Sequence, residues 1–259
     1  MDFSQIRDED QVGSQIVARV RSAADLIRRH RPRPARLLDV GCGLGEMGKY
    51  LGAAVDAAEV HGVDVVPQFV EAARQRGLIT TLGDINTGQL AYPDGYFDAI
   101  FAGEVFEHAV DPDRFLDELY RLLAPGGACI ITTPNLVNWL NRIAVPLGWT
   151  PFFLDTGARR LYGRPRWTAP SDLHAAGHSR HLSVITTTAL RAMVIDHGFT
   201  VFGSLPEYIE GDVLPAERDR GPLSRRLMTQ IVRRVDRYLS SYETLATGIV
   251  LGITRAPHR

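Results

Sequence analysis

The fold of this chain is decided by the stretch Leu37-Leu38-Asp39-Val40-Gly41-Cys42-Gly43-Leu44-Gly45. Its apolar first half is typical of a short buried strand, and glycine then occupies every second position. Glycine allows backbone angles that a Cβ forbids, and it lets the backbone approach a bound molecule closely. Residues 46–54 then have the composition of a helix. A strand, a glycine turn and a helix at the start of a parallel sheet are typical of a site for a nucleotide-like ligand.

The glycine spacing does not by itself say which ligand binds. The six residues 43–48 match the dinucleotide pattern G-x-G-x-x-G, but the sixth position counted from Gly41 is Glu46. That carboxylate would face a pyrophosphate, and Asp39 adds another negative charge just before the turn. Both residues favour S-adenosylmethionine as cofactor, because it carries an ammonium and a sulfonium and has no phosphate. The alternative is a turn that packs the helix and binds nothing.

The composition is that of an ordinary globular protein. The 259 residues are 45% hydrophobic and 23% charged, which suffices for one large α/β domain. No run of about 18 apolar residues and no secretory signal are visible, so we expect no transmembrane segment and a cytoplasmic location. Cys42 and Cys129 do not resemble half of a disulfide or a metal pair, which fits a reducing compartment.

The net charge of −1 argues against nucleic acid as a partner. Arginine is nevertheless concentrated near the N-terminus and again between residues 218 and 237. We interpret both groups as solvated helix faces. Attraction to an anionic substrate or a membrane surface is the alternative. The oligomeric state stays open.

Acidic residues also follow the next two predicted strands. Asp64 ends a strand over 60–63, about twenty residues past the glycines, where a carboxylate can accept both hydroxyls of a ribose. Asp84 follows a strand over 79–82 and is placed to accept from the exocyclic amine of adenine. The other candidate cofactor-binding residues are Gly41, Gly43, Gly45, Val65, Ile85 and Gly103, together with Asp39.

The rest of the chain alternates helical and extended patterns. Further helices are predicted over 11–30, 67–76, 112–123, 186–197 and 214–240. Further strands are predicted over 97–102, 128–132, 199–205 and 246–254. Residues 124–127 are predicted to be a turn between helix and strand, because they contain Pro125-Gly126-Gly127. The segment that follows residue 135 is rich in aromatic residues, proline and glycine, and we interpret it as a lid over the site.

In order and spacing, five features of residues 36–135 resemble the landmarks of class I S-adenosylmethionine-dependent methyltransferases. They are the glycine turn, Asp64, Asp84, Phe97-Asp98 and Leu123-Ala124-Pro125-Gly126-Gly127. The resemblance is closest to the broad family that holds ubiquinone and menaquinone biosynthetic methyltransferases and many polysaccharide and natural-product tailoring enzymes. It implies a Rossmann-like α/β fold: a seven-stranded, mostly parallel sheet with helices on both faces, one antiparallel strand near the edge, and an inserted lid.

The expected domain organisation is a single methyltransferase domain over residues 1–259. It divides into an N-terminal helical cap (1–34), a cofactor-binding core (35–135), a lid insertion (136–182) and the C-terminal half of the sheet with an inserted basic helix (183–259).

The predicted reaction moves the sulfonium methyl to a hydroxyl or amine of a small-molecule acceptor in a tailoring pathway. The nucleophile must lie in line, about 3 Å from the methyl carbon, and a hydroxyl must lose its proton. The candidate catalytic residues are His108, His181 and Glu104. A histidine titrates near the working pH, so it can act as the general base. No metal is expected. The alternative for His108 is a structural role, in which it caps its helix and braces Glu104 or Glu107.

Two other functions stay open. Glu104-x-x-Glu107-His108, Thr132-Thr133-Pro134-Asn135 and a histidine within 178–181 are similar to the RNA 3′-terminal 2′-O-methyltransferases, in which two carboxylates and two histidines hold Mg²⁺. The departure is Leu182-Ser183-Val184, where acidic and aromatic residues would be expected. The second alternative is a non-catalytic partner protein that binds S-adenosylmethionine.

Overall fold

A computed structural model describes residues 14–86, 89–156, 162–163, 181–207, 230–231, 234–236, 238–239 and 241–256. The described strands are β1 (Arg36–Val40), β2 (Glu59–Asp64), β3 (Ile79–Leu82), β4 (Phe97–Gly103), β5 (Leu123–Pro134), β6 (Phe199–Glu207) and β7 (Gly248–Arg255). The described helices include α1 (Ser14–His30), α2 (Glu46–Val55), α3 (Pro67–Gln75), α4 (Pro112–Leu122), α5 (Trp139–Ala144) and α6 (Thr187–Asp196). A 3₁₀ turn spans Phe106–His108.

The seven strands form one sheet in the order β3-β2-β1-β4-β5-β7-β6. β1 to β5 pair in parallel, and β7 runs antiparallel to both of its neighbours. This confirms the Rossmann-like fold, with its seven-stranded, mostly parallel sheet and one antiparallel strand near the edge. Because β1 to β6 share a direction, their carboxyl ends meet at one edge of the sheet, which is the edge where ligands bind in such folds.

Helices cover both faces of the sheet because its side chains alternate in direction. Leu37 packs in a cluster with residues of α1 and α2. Its neighbour Leu38 packs on the opposite face in a cluster with residues of α4 and α6. Within the described part of the chain, Cys42 and Cys129 are buried and not in a disulfide, as expected. No described helix is long and apolar enough to span a bilayer.

The predicted boundary between helix and strand at residues 123–128 is wrong. The helix ends at Leu122, and β5 begins at once, with Leu123 paired to Phe97. Pairing shifts register before it resumes with Ala128 opposite Ala99, so the Pro-Gly-Gly residues form an irregularity inside the strand and not a turn before it. A Cβ on Gly127 would lie 2.9 Å from the carbonyl oxygen of Ala124, which explains why glycine is needed there.

Other boundaries differ less. The strand predicted over 199–205 extends to Glu207, which brings an acidic side chain to the carboxyl edge of the sheet. Described residues of the predicted helix 214–240 are helical at 230–231, 234–236 and 238–239, and the others lie outside the description. Of the predicted lid, residues 157–161 and 164–180 lie outside it, as does the start of the first helix, 11–13.

The described part of the predicted lid contains an apolar cluster. The members of this cluster are Trp139, Leu140, Ala144, Phe152 and Phe153, with Trp149 against them. The side chain of Asn141 donates to the carbonyls of Leu136 and Phe152, at 2.7 and 3.2 Å, and accepts from the Phe152 N–H at 2.6 Å. These bonds fix residues 136–153 as a folded unit that follows β5.

Candidate active site

A cavity of about 620 Å³ opens at the carboxyl edge of the sheet, above the ends of β1 to β4. Its described lining residues are Val40, Gly41, Gly43, Val63, Asp64, Val65, Val66, Phe69, Gly83, Asp84, Ile85, Asn86, Glu104, Val105 and His108. Three of these are carboxylates, and none of the described lining residues is a lysine or arginine. The walls therefore favour a ligand that carries positive charge and disfavour a pyrophosphate.

The site has two ends, which we name by their residues. The glycine-turn end consists of Gly41, Gly43, Asp64, Val65, Asp84 and Ile85, after β1 to β3. The histidine end consists of Glu104, Glu107, His108 and His181, and Arg19 pairs with both Glu104 and Glu207.

The glycine turn after β1 needs glycine for space as well as for conformation. Gly41 has φ +67°, and a Cβ there would lie 2.5 Å from Cγ2 of Val105. Gly45 has φ +85°, and its Cβ would lie 2.8 Å from Cα of Ala73. L side chains rarely adopt such angles, and neither position has room for one. Glycine at these two positions therefore lets the turn pack closely against Val105 and α3.

Asp64 joins the glycine turn to the end of β2. One carboxylate oxygen accepts from the N–H of Gly43 and the other from the N–H of Val66, each at 2.9 Å. A carboxylate oxygen can accept more than one hydrogen bond, so Asp64 keeps acceptor capacity toward the cavity that it lines. This arrangement suits the ribose role predicted for Asp64.

Asp84 is fixed by a local turn after β3. Its Oδ1 accepts from the N–H of Asn86 at 2.9 Å and from the Asn86 side-chain amide at 3.0 Å. The side-chain oxygen of Asn86 accepts in turn from the N–H of Val110 at 3.1 Å. Asn86, which the sequence analysis missed, thus links the loop after β3 to the loop before α4.

Three predicted cofactor residues do not line this cavity: Asp39, Gly45 and Gly103. Asp39 is only 1% exposed because strand alternation directs it to the same face as Leu37. There it lies beneath α2, where a Cβ on Gly48 would be 2.8 Å from its Oδ2. Burial raises the pKa of Asp39 to about 7, opposed by a hydrogen bond from the Gly48 N–H and assisted by the charge of Asp64.

Glu104 lines the histidine end of the cavity in an unusual backbone conformation. Its φ is +56°, which is rare for a residue other than glycine. Its N–H donates to the carbonyl of Thr132 at 3.0 Å, and its Oε1 accepts from the Thr132 hydroxyl at 3.0 Å. Arg19 Nη2 lies 3.4 Å from its other carboxylate oxygen. These contacts hold the carboxylate at the cavity wall.

Arg19 reaches this point from α1. Its Nε donates to Oε1 of Glu207 at 2.7 Å, in a pair that is almost entirely buried. Burial alone would lower the pKa of Arg19, but the charges of Glu104 and Glu207 outweigh it and raise that pKa. Burial also raises the pKa of Glu207 to about 7, although Arg19 opposes the shift.

Glu107 lies below the two histidines and is fully buried. Its Oε2 accepts from the Thr133 hydroxyl at 3.0 Å, and its Oε1 has no hydrogen-bond partner among the described residues. Burial, and then the charge of Glu104, raise the pKa of Glu107 well above its ordinary value. Its backbone carbonyl accepts from the N–H groups of Leu182 and Ser183, at 2.6 and 3.0 Å, and so docks the chain that carries His181.

The structure brings His108 and His181 together, with ring centroids 5.0 Å apart. His181 Nδ1 lies 2.9 Å from the carbonyl oxygen of Phe153, which can only accept. This contact assigns the proton to Nδ1 and leaves Nε2 as the basic nitrogen. One ligand atom from each of Glu107, His108 and His181 lies within 4.8 Å of the other two. His108 lines the cavity, whereas His181 is not among the described lining residues.

Arg19 and Glu207 were not among the candidate site residues, and Glu107 was named only in the metal-dependent alternative and as a residue that His108 could brace. A signal existed for Arg19, because it lies between Ile16 and Ala23 on the apolar face of the first helix, where a charged residue needs a buried partner. His178, the other histidine within residues 178–181, lies outside the described residues.

Residues 38–131 match the model of a family described as a methyltransferase domain. A demethylmenaquinone methyltransferase of Thermus thermophilus is 36% identical over 115 residues, which cover 43% of this chain and 51% of that protein. A ubiquinone biosynthesis O-methyltransferase of Xylella fastidiosa is 37% identical over 110 residues, which cover 39% and 42%. The chain thus spans about half the length of these curated relatives or less.

A solved S-adenosylmethionine-dependent methyltransferase from Mesorhizobium loti shares the fold. Its TM-score is 0.58 at 17% identity, over 94% of this chain and 99% of that one. The domain match and the curated relatives confirm the resemblance of residues 38–131 to class I S-adenosylmethionine-dependent methyltransferases, and the solved structure has the same fold.

Proposed function

We propose that this chain transfers a methyl group from S-adenosylmethionine to a hydroxyl or amine of a small molecule. The observation that supports it most is the acidic cavity over the glycine turn, lined by Asp64, Asp84 and Glu104. S-adenosylmethionine supplies, when bound, a methyl group on a positively charged sulfur. A cavity lined by carboxylates suits that charge.

The cofactor fits the order of strand ends. Asp84, Asp64 and the glycine turn follow β3, β2 and β1, which are successive strands of the sheet. In the proposed arrangement Asp84 accepts from the adenine amine, Asp64 from the ribose hydroxyls, and Val65 and Ile85 supply apolar surface. Asp39, Gly45 and Gly103 then act from beneath by shaping the turn and the end of β4. The reacting methyl group belongs at the histidine end.

At the histidine end, the proposed general base is the histidine pair. His181 has its basic nitrogen defined by the Phe153 carbonyl, and His108 stands at the cavity wall. The buried carboxyl of Glu107 lies beside both rings, where it can stabilise an imidazolium. The acceptor pocket belongs to the predicted lid, whose folded part contacts His181 through Phe153. Quinols are the first acceptors to test, because both curated relatives are named for quinones.

One observation favours a second candidate, the metal-dependent RNA methyltransferase. A carboxylate and two imidazoles within 4.8 Å form a donor set that suits a divalent cation. A requirement for Mg²⁺, together with methylation of an RNA 3′ end, would support this candidate. Turnover of a quinol with a chelator present would support the small-molecule reaction. Cofactor binding without turnover of any acceptor, plus a stable protein partner, would favour the non-catalytic function.

Calorimetry tests the cofactor site without knowledge of the acceptor. The wild-type chain is titrated with S-adenosylmethionine, S-adenosylhomocysteine and NAD. We expect the first two to bind and NAD not to bind. Asp64→Ala should weaken cofactor binding at least about tenfold, because a charge-assisted ribose contact and a turn contact are lost together.

The matched control is Asp25→Ala, a half-exposed aspartate on α1 whose nearest ion pair is 3.9 Å long. This variant should bind as wild type does. Preference for NAD, or unchanged affinity in Asp64→Ala, would contradict the proposed cofactor site.

A further inference from the structure

One guanidinium lies among three carboxyl groups beneath the histidine end. Among the described residues, Arg19 is the basic side chain paired with Glu104 and with Glu207, and the charge of Glu107 acts on it as well. Glu207 contacts Arg19 in the buried interior, whereas Glu104 is 18% exposed and lines the cavity. Arg19 therefore connects a buried acid on β6 to an acid at the cavity wall.

Glu104 is held by long-range contacts in a conformation that its own backbone disfavours. A glutamate at φ +56° persists only where its surroundings impose it. Thr132 and Arg19 supply those surroundings, one to each carboxylate oxygen. Without the guanidinium, three carboxyl groups would share this region, and their repulsion would drive Glu104 to rotate away or to bind a proton.

We propose that Arg19 is a positioning residue which holds the Glu104 carboxylate at the cavity wall, so that the site prefers cationic S-adenosylmethionine to its neutral product. This inference rests on the proposed function and adds a selectivity to it. S-adenosylhomocysteine keeps the ammonium, the carboxylate and the adenosine and loses only the methyl group with the positive charge. The ratio of the two affinities therefore reports the charge felt at sulfur.

The experiment measures both dissociation constants by calorimetry for wild type, Arg19→Gln, Glu104→Gln and Arg29→Gln. Arg29 is an exposed arginine on the same helix and serves as the matched control. Removing Arg19 or Glu104 should lower the preference for S-adenosylmethionine over S-adenosylhomocysteine by about tenfold. Arg29→Gln should leave the ratio at the wild-type value.

Two more variants guard against loss of folding. Arg19→Gln/Glu207→Gln removes the buried pair together, so Glu207 is not left as an unpaired buried charge, and it should show the lowered ratio of Arg19→Gln. Arg19→Lys should keep part of the wild-type preference for S-adenosylmethionine. Lysine retains the positive charge but lacks the planar guanidinium that contacts both Glu104 and Glu207.

A structural role alone would weaken both ligands equally. An unchanged ratio in Arg19→Gln or in the double variant would therefore overturn the inference, as would an unchanged ratio in Glu104→Gln. If the wild-type chain binds neither S-adenosylmethionine nor S-adenosylhomocysteine, the proposed function is contradicted, and so is this inference. That outcome is distinct from normal binding with an unchanged ratio.

Discussion

The two ends of the site are built in different ways. At the glycine-turn end, neighbouring segments of the chain bond one another: Asp64 lies 21 residues from Gly43, and backbone N–H groups occupy both of its oxygens. At the histidine end, Arg19 and Glu207 meet across 188 residues, and Glu107 keeps an oxygen without a described partner. At the glycine-turn end, the carboxylate of Asp64 is already hydrogen-bonded within the protein. At the histidine end, a buried carboxylate oxygen of Glu107 has no described hydrogen-bond partner. Such groups are typical of reaction chemistry.

The largest effect is expected from the histidine pair. His108→Ala and His181→Ala should each lower turnover of a quinol acceptor about 100-fold or more, because a positioned base is lost. Cofactor affinity, measured on the same samples, should change little, since the glycine-turn end is untouched. The control is His197→Gln: this histidine lies beside Asp113 and Asp117, after α6, at the opposite edge of the sheet. If neither alanine variant slows turnover, no histidine base operates at this end.

The next effect concerns the glycine turn after β1. Gly45→Ala should lower the free energy of unfolding by about 2–4 kcal/mol, since it adds a left-handed alanine and a contact with Cα of Ala73. Gly77→Ala is the matched control, because φ there is +94° and nothing lies within 4 Å of the added Cβ. It should cost only about 1–2 kcal/mol. Denaturant unfolding measures both, and equal losses would mean that crowding at the glycine turn is unimportant.

The smallest effect concerns Asp39, which is buried beneath α2 and does not line the cavity. With its pKa near 7, folded Asp39 holds a proton that the unfolded chain has released above about pH 4. Stability should therefore fall as pH rises from about 4 to 7. Relative to Asp39→Asn, the wild type should lose about 2–3 kcal/mol of unfolding free energy between pH 5 and pH 8.

Denaturant unfolding at these two pH values makes this comparison. Glu107 and Glu207 also have a raised pKa, but they are present in both proteins, so the difference isolates Asp39. If the stability of the two proteins changes with pH in the same way, Asp39 is ionised in the folded protein. That result would contradict its raised pKa.

From the sequence, part of each end of the site could be located, but Asp39, Gly45 and Gly103 were expected at the ligand and do not line the cavity. The strand, the glycine turn and the acidic strand ends are local features, and Asp64 and Asp84 lie at the cavity where the pattern placed them. His108 and His181 were named, but nothing in their spacing showed that the Phe153 carbonyl selects the basic nitrogen. The strand boundary near Pro125 was wrong because Pro-Gly-Gly favours a turn locally, whereas pairing with β4 keeps it inside the strand.

The sequence by itself determined the order along the chain of the strands, the glycine turn and the acidic residues at the strand ends. Apolar periodicity and glycine influence only the backbone within a few residues, so these features can be read locally. Only the tertiary structure decided that Asp39 lies under α2, that Arg19 joins Glu104 to Glu207, and that Glu107 lies beside two histidines. These facts depend on which remote segments pack together. That packing is fixed by the burial of whole helices and strands, and the individual polar residues follow it.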